Sequence, residues 1–227
     1  MSARSIAAAA LMALAVSTPA VFADDWRDKE DGVLYLTSVD PMADEYFVVT
    51  LVNDEEDPDD DPDWKLDITY YRIGPGVFEV DTKDYDAEDI QMIDFEGDDN
   101  LDGFYNYTSV PSVAYGHGGT DYLIGGDGPD DLFGGSDNDH LEGRGGEDDL
   151  FGGWGRDSLY GGAQNDYLNA GRDRTERILD GGAGWDTGVM YYSQLRGTSR
   201  VYQQFDQFEC ESVQERWTFF FALSFQR

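Results

Sequence analysis

The sequence predicts an all-β fold organised around a parallel β-solenoid, and three observations carry that expectation. From Gly116 to Val189 the chain repeats every nine residues, as GHGGTDYLI, GGDGPDDLF, GGSDNDHLE, GRGGEDDLF, GGWGRDSLY and GGAQNDYLN. An irregular eleven-residue copy, AGRDRTERILD, and a last GGAGWDTGV follow. Each regular copy places aspartate sixth and leucine eighth, and fixed periods of this kind mark repeat architectures. Upstream, short runs rich in β-branched and aromatic residues read as strands, with no helical period competing: VLYLTSV (33–39), EYFVVTLV (45–52), WKLDITYYRI (64–73), VFEV (77–80) and IQMIDF (90–95).

Within a copy, glycines at the first, second and fourth positions permit a tight six-residue turn, and the last three residues alternate faces as a strand. Two copies then complete one coil. The eighth positions, Leu123, Leu132, Leu141, Leu150, Leu159 and Leu168, point inward and stack at about 4.8 Å per coil. Leu179 continues this spine and Gly188 ends it.

The sixth positions, Asp121, Asp130, Asp139, Asp148, Asp157, Asp166 and Asp186, fall into two columns of stacked carboxylates. Like charges at such spacing repel, so a cation is required between them. Ca²⁺ suits the site, because it accepts six to eight oxygen ligands in flexible geometry, whereas Mg²⁺ demands a tight octahedron. The glycine-rich turns would add backbone carbonyls: Gly116, Gly118 and Gly119; Gly125, Gly126 and Gly128; Gly134 and Gly135; Gly143, Gly145 and Gly146; Gly152, Gly153 and Gly155; Gly161 and Gly162. Asp137 and Gln164 replace a fourth-position glycine, and His117 and Arg144 a second-position one. Aspartate tolerates left-handed backbone, so Asp137 is a candidate extra ligand. Gln164 and Arg144 weaken their sites on this reading, and Asp173, in the irregular copy, is not expected to form one.

These copies fit G-G-x-G-x-D-x-U-x, with U a large apolar residue, and the array resembles the RTX (haemolysin-type) calcium-binding nonapeptide repeat. The resemblance implies a right-handed parallel β-roll with ions between same-side turns of adjacent coils. Asp121 would pair with Asp139 and Asp139 with Asp157, Asp130 with Asp148 and Asp148 with Asp166, giving about four ions. The passage Phe95 to Ser112 is similar to a prelude found ahead of RTX arrays, and residues 206–213 (DQFECESV) resemble a strand that closes them. With Gly97 fourth, Asp99 sixth and Leu101 eighth, residues 94–102 read as a degenerate first coil.

The rest of the chain divides accordingly: a signal peptide over 1–23, an acidic β-rich N-terminal cap region over 24–93, the roll over 94–189 and a C-terminal cap over 190–227. Arg4, the apolar IAAAALMALAV and the small-residue site Val21-Phe22-Ala23 form the leader. No transmembrane segment is expected after its cleavage. Many RTX proteins leave by a dedicated exporter without such a leader, so this one points to general export first, then extracellular, cell-surface or periplasmic residence. Alternating Trp217, Phe219, Phe221, Leu223 and Phe225 read as a strand covering the solenoid's open end, or as an export or assembly signal. Cys210 is the lone cysteine, so no internal disulfide is available and metal is the remaining staple.

Composition narrows function. Forty-eight acidic against fifteen basic residues give a formal charge of -33, which disfavours nucleic acid and anionic membranes and favours cations. Such a chain self-repels without metal, so folding is expected to couple to Ca²⁺. The acidic run 54–63 fails as an EF-hand, since Pro62 stands at the required glycine and Ile68 at the required glutamate. Neither HExxH nor G-x-S-x-G occurs, and His117 and His140 have no metal-ligand spacing, so no catalytic residue is assigned. Phe133 and Phe151 form an outward aromatic ladder. The reading is an exported calcium-binding protein, not an enzyme, with a structural or interaction role at the cell surface or outside the cell. The alternative is a small calcium-dependent enzyme acting on polysaccharide, its coil serving as scaffold.

Overall fold

In a computed structural model the described residues are 27–30, 32–40, 42–54, 63–75, 77–171, 178–191, 201–203, 207–211 and 216–219. The leader, the acidic segment 55–62, residues 172–177 with Asp173, Arg172, Arg174 and Arg177, and residues 220–227 lie outside them. Among the described residues no helix is long and apolar enough to cross a membrane.

The nine-residue period becomes a two-sheet coil. From the array's first copy, strands alternate between sheets: β9 (Tyr122–Ile124), β11 (His140–Gly145), β13 (Ser158–Ala163) and β15 (Ile178–Ala183) in one; β10 (Asp130–Ser136), β12 (Asp149–Trp154), β14 (Tyr167–Asn169) and β16 (Thr187–Tyr191) in the other. All pair in parallel with the strand one coil away, as in Leu132↔Leu150↔Leu168 and Leu123↔Leu141↔Leu159↔Leu179. This is the parallel β-roll. Strands such as β10 exceed the three residues expected, because the ladder continues through the following glycines, as in Gly135↔Gly153.

The five upstream runs are strands too: β2 (Val33–Thr37), β3 (Asp44–Asp54), β4 (Asp63–Gly74), β5 (Val77–Asp86) and β6 (Met92–Glu96), after β1 (Arg27–Glu30). Their pairing carries the coil further back than residue 94. β2 lies parallel to β6, and β3 lies parallel to β7 (Asp102–Asn106). β6 and β7 lead in turn to β8 (Ser112–Tyr115) and β9. The β4–β5 hairpin extends the sheet of β9, β11, β13 and β15 antiparallel beyond β3.

The degenerate coil has a different register from the one expected. Phe104 pairs with Leu123, so Gly97 is first, Asp102 sixth and Phe104 eighth in a copy spanning 97–105. One extra residue, Asn106, then precedes the next copy, whose sixth and eighth positions are Ser112 and Ala114. That insertion displaces the aspartate spacing from eighteen to nineteen residues (Asp102 to Asp121) and hides the phase.

At the far end β17 (Val201–Gln203) pairs with β15, and β18 (Gln207–Glu211) with β16, both in parallel; β19 (Arg216–Phe219) turns back antiparallel on β18.

The core is two inward files. One runs Leu36, Phe95, Ala114, Leu132, Leu150, Leu168 and the other Phe47, Phe104, Leu123, Leu141, Leu159, Leu179, all with 0% exposure. Phenylalanines widen the N-terminal end, where Phe95 stacks on Phe104 at 5.2 Å and meets Phe47 at 5.3 Å. Leu141, Leu150 and Leu159 each have a leucine above and below, so little can collapse into a truncated site. Leu150→Ala should therefore cost about 2–5 kcal/mol. Chemical denaturation in saturating Ca²⁺ measures it, and a loss within the range of a surface change would contradict the spine.

Candidate metal site in the stacked turns

Aspartate at the sixth position sits where a turn enters its strand, and the side chain folds back into the turn. Asp121, Asp130, Asp139, Asp148, Asp157, Asp166 and Asp186 are all buried, at 0–3% exposure. Parallel register places each one coil from the next: Asp102, Asp121, Asp139 and Asp157 form one column, and Asp130, Asp148, Asp166 and Asp186 the other.

Within a column every carboxylate splices two coils. Asp139 Oδ1 accepts the N–H of Asp121 at 2.9 Å, and Asp157 Oδ1 that of Asp139 at 3.0 Å. In the second column Asp148 accepts from Asp130 at 2.9 Å, Asp166 from Asp148 at 3.1 Å and Asp186 from Asp166 at 3.0 Å. Oδ2 is different. In Asp121, Asp139, Asp148 and Asp166 this oxygen is buried and accepts no hydrogen bond. A buried acceptor left so costs about 1–3 kcal/mol, and more when charged.

First-position glycines keep that oxygen accessible to a backbone carbonyl of the next coil. A Cβ on Gly134 would stand 2.5 Å from Asp139 Oδ2 and 2.7 Å from the Gly152 carbonyl oxygen, closer than real contacts allow. The glycine thus leaves a recess between a carboxylate oxygen and a carbonyl of the neighbouring turn. Among the described residues no three His, Cys, Asp or Glu side chains converge, so an ion held here must draw largely on carbonyls. That donor set is all oxygen, which suits a hard cation of flexible coordination.

The family model described as "RTX calcium-binding nonapeptide repeat (4 copies)" matches residues 115–150, 124–159 and 142–174. The turns within residues 115–174 match the RTX calcium-binding repeat. No curated protein and no solved structure matches the chain.

The RTX turns keep their backbone where the consensus fails. His117, Asp137, Arg144 and Gln164 all take left-handed φ, at 68°, 83°, 79° and 83°. Arg144 and Gln164 therefore strain their turns without reshaping them.

Not every turn leaves a carboxylate oxygen without a partner, and apart from Asp130 the satisfied ones belong to residues that the nine-residue pattern misses. Asp102 Oδ1 accepts Ser38 Oγ–H at 2.8 Å, and its Oδ2 accepts the Asp98 N–H at 2.7 Å. Asp130 Oδ1 accepts both the N–H and Oγ–H of Ser112, at 2.7 and 2.6 Å, and its Oδ2 accepts the Gly126 N–H at 2.7 Å. The intervening turn is closed by Asn106, which accepts from the N–H and hydroxyl of Thr108 and donates to the Val110 carbonyl. Glu45, register partner of Asp102, accepts the N–H groups of Val39 and Asp40 and the Tyr70 hydroxyl. Each column thus begins on a hydrogen-bonded carboxylate and continues into turns where the Oδ2 of Asp121, Asp139, Asp148 and Asp166 accepts no hydrogen bond. Counting nineteen residues back from Asp121 was the only sequence signal for Asp102.

Electrostatics follow the same division. Burial pushes the Asp121 carboxyl up to about 9, Asp148 to about 8, and Asp139 and Asp166 to about 7. Asp130, with three donors, rises only to about 6. A carboxyl raised on folding stabilises the metal-free coil fully below its unfolded pKa of about 4, and that contribution is lost as pH climbs through the folded value. Metal-free protein should therefore melt at progressively lower temperature between pH 5 and pH 9, followed by circular dichroism. A rising melting temperature over that window would contradict the buried columns. Hydrogen exchange of the same metal-free sample should be slowest in 33–54 and 92–115, where side chains close the turns, and fastest in 121–169; uniform exchange is the contrary result.

Proposed function

We propose that this is an exported calcium-binding protein whose β-roll folds on binding Ca²⁺ and which plays a structural or interaction role at the cell surface or outside the cell. The observation that carries the reading is the buried, unpartnered Oδ2 of Asp121, Asp139, Asp148 and Asp166 inside RTX turns. About four ions would sit at the stacked pairs Asp121–Asp139, Asp139–Asp157 and Asp148–Asp166 and, more weakly because the Asp130 oxygens already accept hydrogen bonds, at Asp130–Asp148, each completed by carbonyls of the turn glycines. The stacking of Asp186 on Asp166 offers a fifth place across the irregular copy.

Calcium supplies positive charge and oxygen coordination between the turns; the chain's residues do the rest. Oδ1 atoms fix coil spacing, first-position glycines leave the recess, and the leucine files exclude water behind it. Net charge of -33 is a further reason for the roll to depend on cations. Free Ca²⁺ at about 100 times Kd contributes about 2.7 kcal/mol per site, so several sites decide whether the array folds. Extracellular calcium modules work at about 10⁻⁴–10⁻³ M, which suits export directed by the leader read in residues 1–23. The match to a calcium-binding repeat supports the structural reading ahead of a polysaccharide-active enzyme.

Titrating Ca²⁺ into metal-free mature protein should raise β-sheet ellipticity cooperatively, and calorimetry should count about four ions, or five with the Asp166–Asp186 pair loaded. Ellipticity complete without calcium and unmoved by it would overturn the coupling.

A further inference from the structure

On the outward face of the sheet containing β11 and β13, away from the calcium turns' interior, lies a groove of about 470 Å³ lined by His140, Glu142, Arg144, Tyr160 and Gly162. Register brings these residues together from copies eighteen residues apart: Glu142 faces Tyr160 and Arg144 faces Gly162. Aromatic rings wall it. His140 stands 5.8 Å from Tyr122 and 5.3 Å from Tyr160, centroid to centroid, and Tyr122 remains 41% exposed.

Arg144 is the unusual member. It occupies a second position where Gly126, Gly135, Gly153 and Gly162 stand in other copies, at φ 79°, a left-handed conformation that disfavours a residue with a Cβ. Its guanidinium lies 4.6 Å from the centroid of the Tyr107 ring, and its Nε donates to Glu142 Oε1 at 3.3 Å. Glu142 is kept ionised, its carboxyl held below the usual range by hydrogen bonding from His140 and by Arg144. Strain retained at a polar, aromatic-walled groove is a pointer to binding.

The lining selects a ligand class. An anion would meet Glu142 and the field of a chain at -33, and a cation would meet Arg144. A purely apolar ligand would strand the imidazole, carboxylate and guanidinium. A neutral polyhydroxylated ring satisfies all of them: its hydroxyls donate to Glu142, accept from Arg144 and do either with His140, while its C–H face lies against Tyr160.

We propose that this groove binds a neutral saccharide, presented by a polysaccharide outside the cell. Calcium-loaded full-length protein, its fold checked by circular dichroism, would be run through native gels containing dextran, laminarin, xyloglucan, galactomannan or starch, and through polygalacturonate as the anionic comparison. Retardation is expected in at least one neutral gel. Tyr160→Ala and Arg144→Gly should each weaken it at least tenfold, while Arg144→Gly keeps the calcium-loaded spectrum, since glycine fits this turn position in neighbouring copies. Free migration in all five neutral gels, retardation by polygalacturonate alone, or retardation surviving both substitutions would overturn the proposal.

Discussion

A carboxylate with two unequal oxygens is the constraint on which this fold depends. In each RTX column Oδ1 ties its own strand entry to the backbone of the coil before it, and that bond holds the carboxylate inside the turn. Oδ2 is then committed to the interior, where Asp121, Asp139, Asp148 and Asp166 find no donor. Everything nearby accommodates that oxygen. The first glycine withholds a Cβ, the turn carbonyls approach from the next coil, and leucines behind the turn supply the apolar packing. Without a cation the same arrangement stacks partly charged groups in a buried file, which is why the carboxyls drift upward in pKa and why neutralisation and folding are linked.

The N-terminal coils solve the same geometric problem with protons in place of a metal. Glu45, Asp102 and Asn106 direct their oxygens at backbone N–H groups and hydroxyls, and Ser112 stands where an aspartate would begin the second column. Phe47, Phe95 and Phe104 join leucines such as Leu36 in the interior there. The molecule is therefore graded along its axis, from turns closed by their own side chains to turns whose outer oxygens need a ligand. A closed end adjoining the array gives the following coils a preformed surface on which to stack.

How much of this was legible follows from which information a period of nine contains. The eighth-position leucines, the sixth-position aspartates and the Phe133–Phe151 ladder, stacked at 4.9 Å with Tyr115 continuing it at 4.7 Å, follow from the repeat alone. Phase across an insertion does not: Asn106 shifts the count by one, so the pattern puts a degenerate coil at 94–102, three residues ahead of the coil at 97–105, and passes over Asp102. Nor does pattern reveal that β2 and β3 already lie in parallel register, because their sequences read as ordinary strands and only their distant partners define the coil. Arg144 and His140 were readable as a departure and a surface residue. Their grouping with Glu142 and Tyr160 needs the eighteen-residue coil and the side chains' directions together.

The account stands on cations filling the recesses beside the unpartnered carboxylate oxygens. Diffraction from crystals grown in Ca²⁺, collected at a wavelength where calcium scatters anomalously, tests this directly. The account predicts anomalous peaks between same-side turns of both columns, each about 2.3–2.6 Å from an aspartate Oδ2 and from turn carbonyls. Recesses holding only water, with no anomalous density along either column, would contradict it.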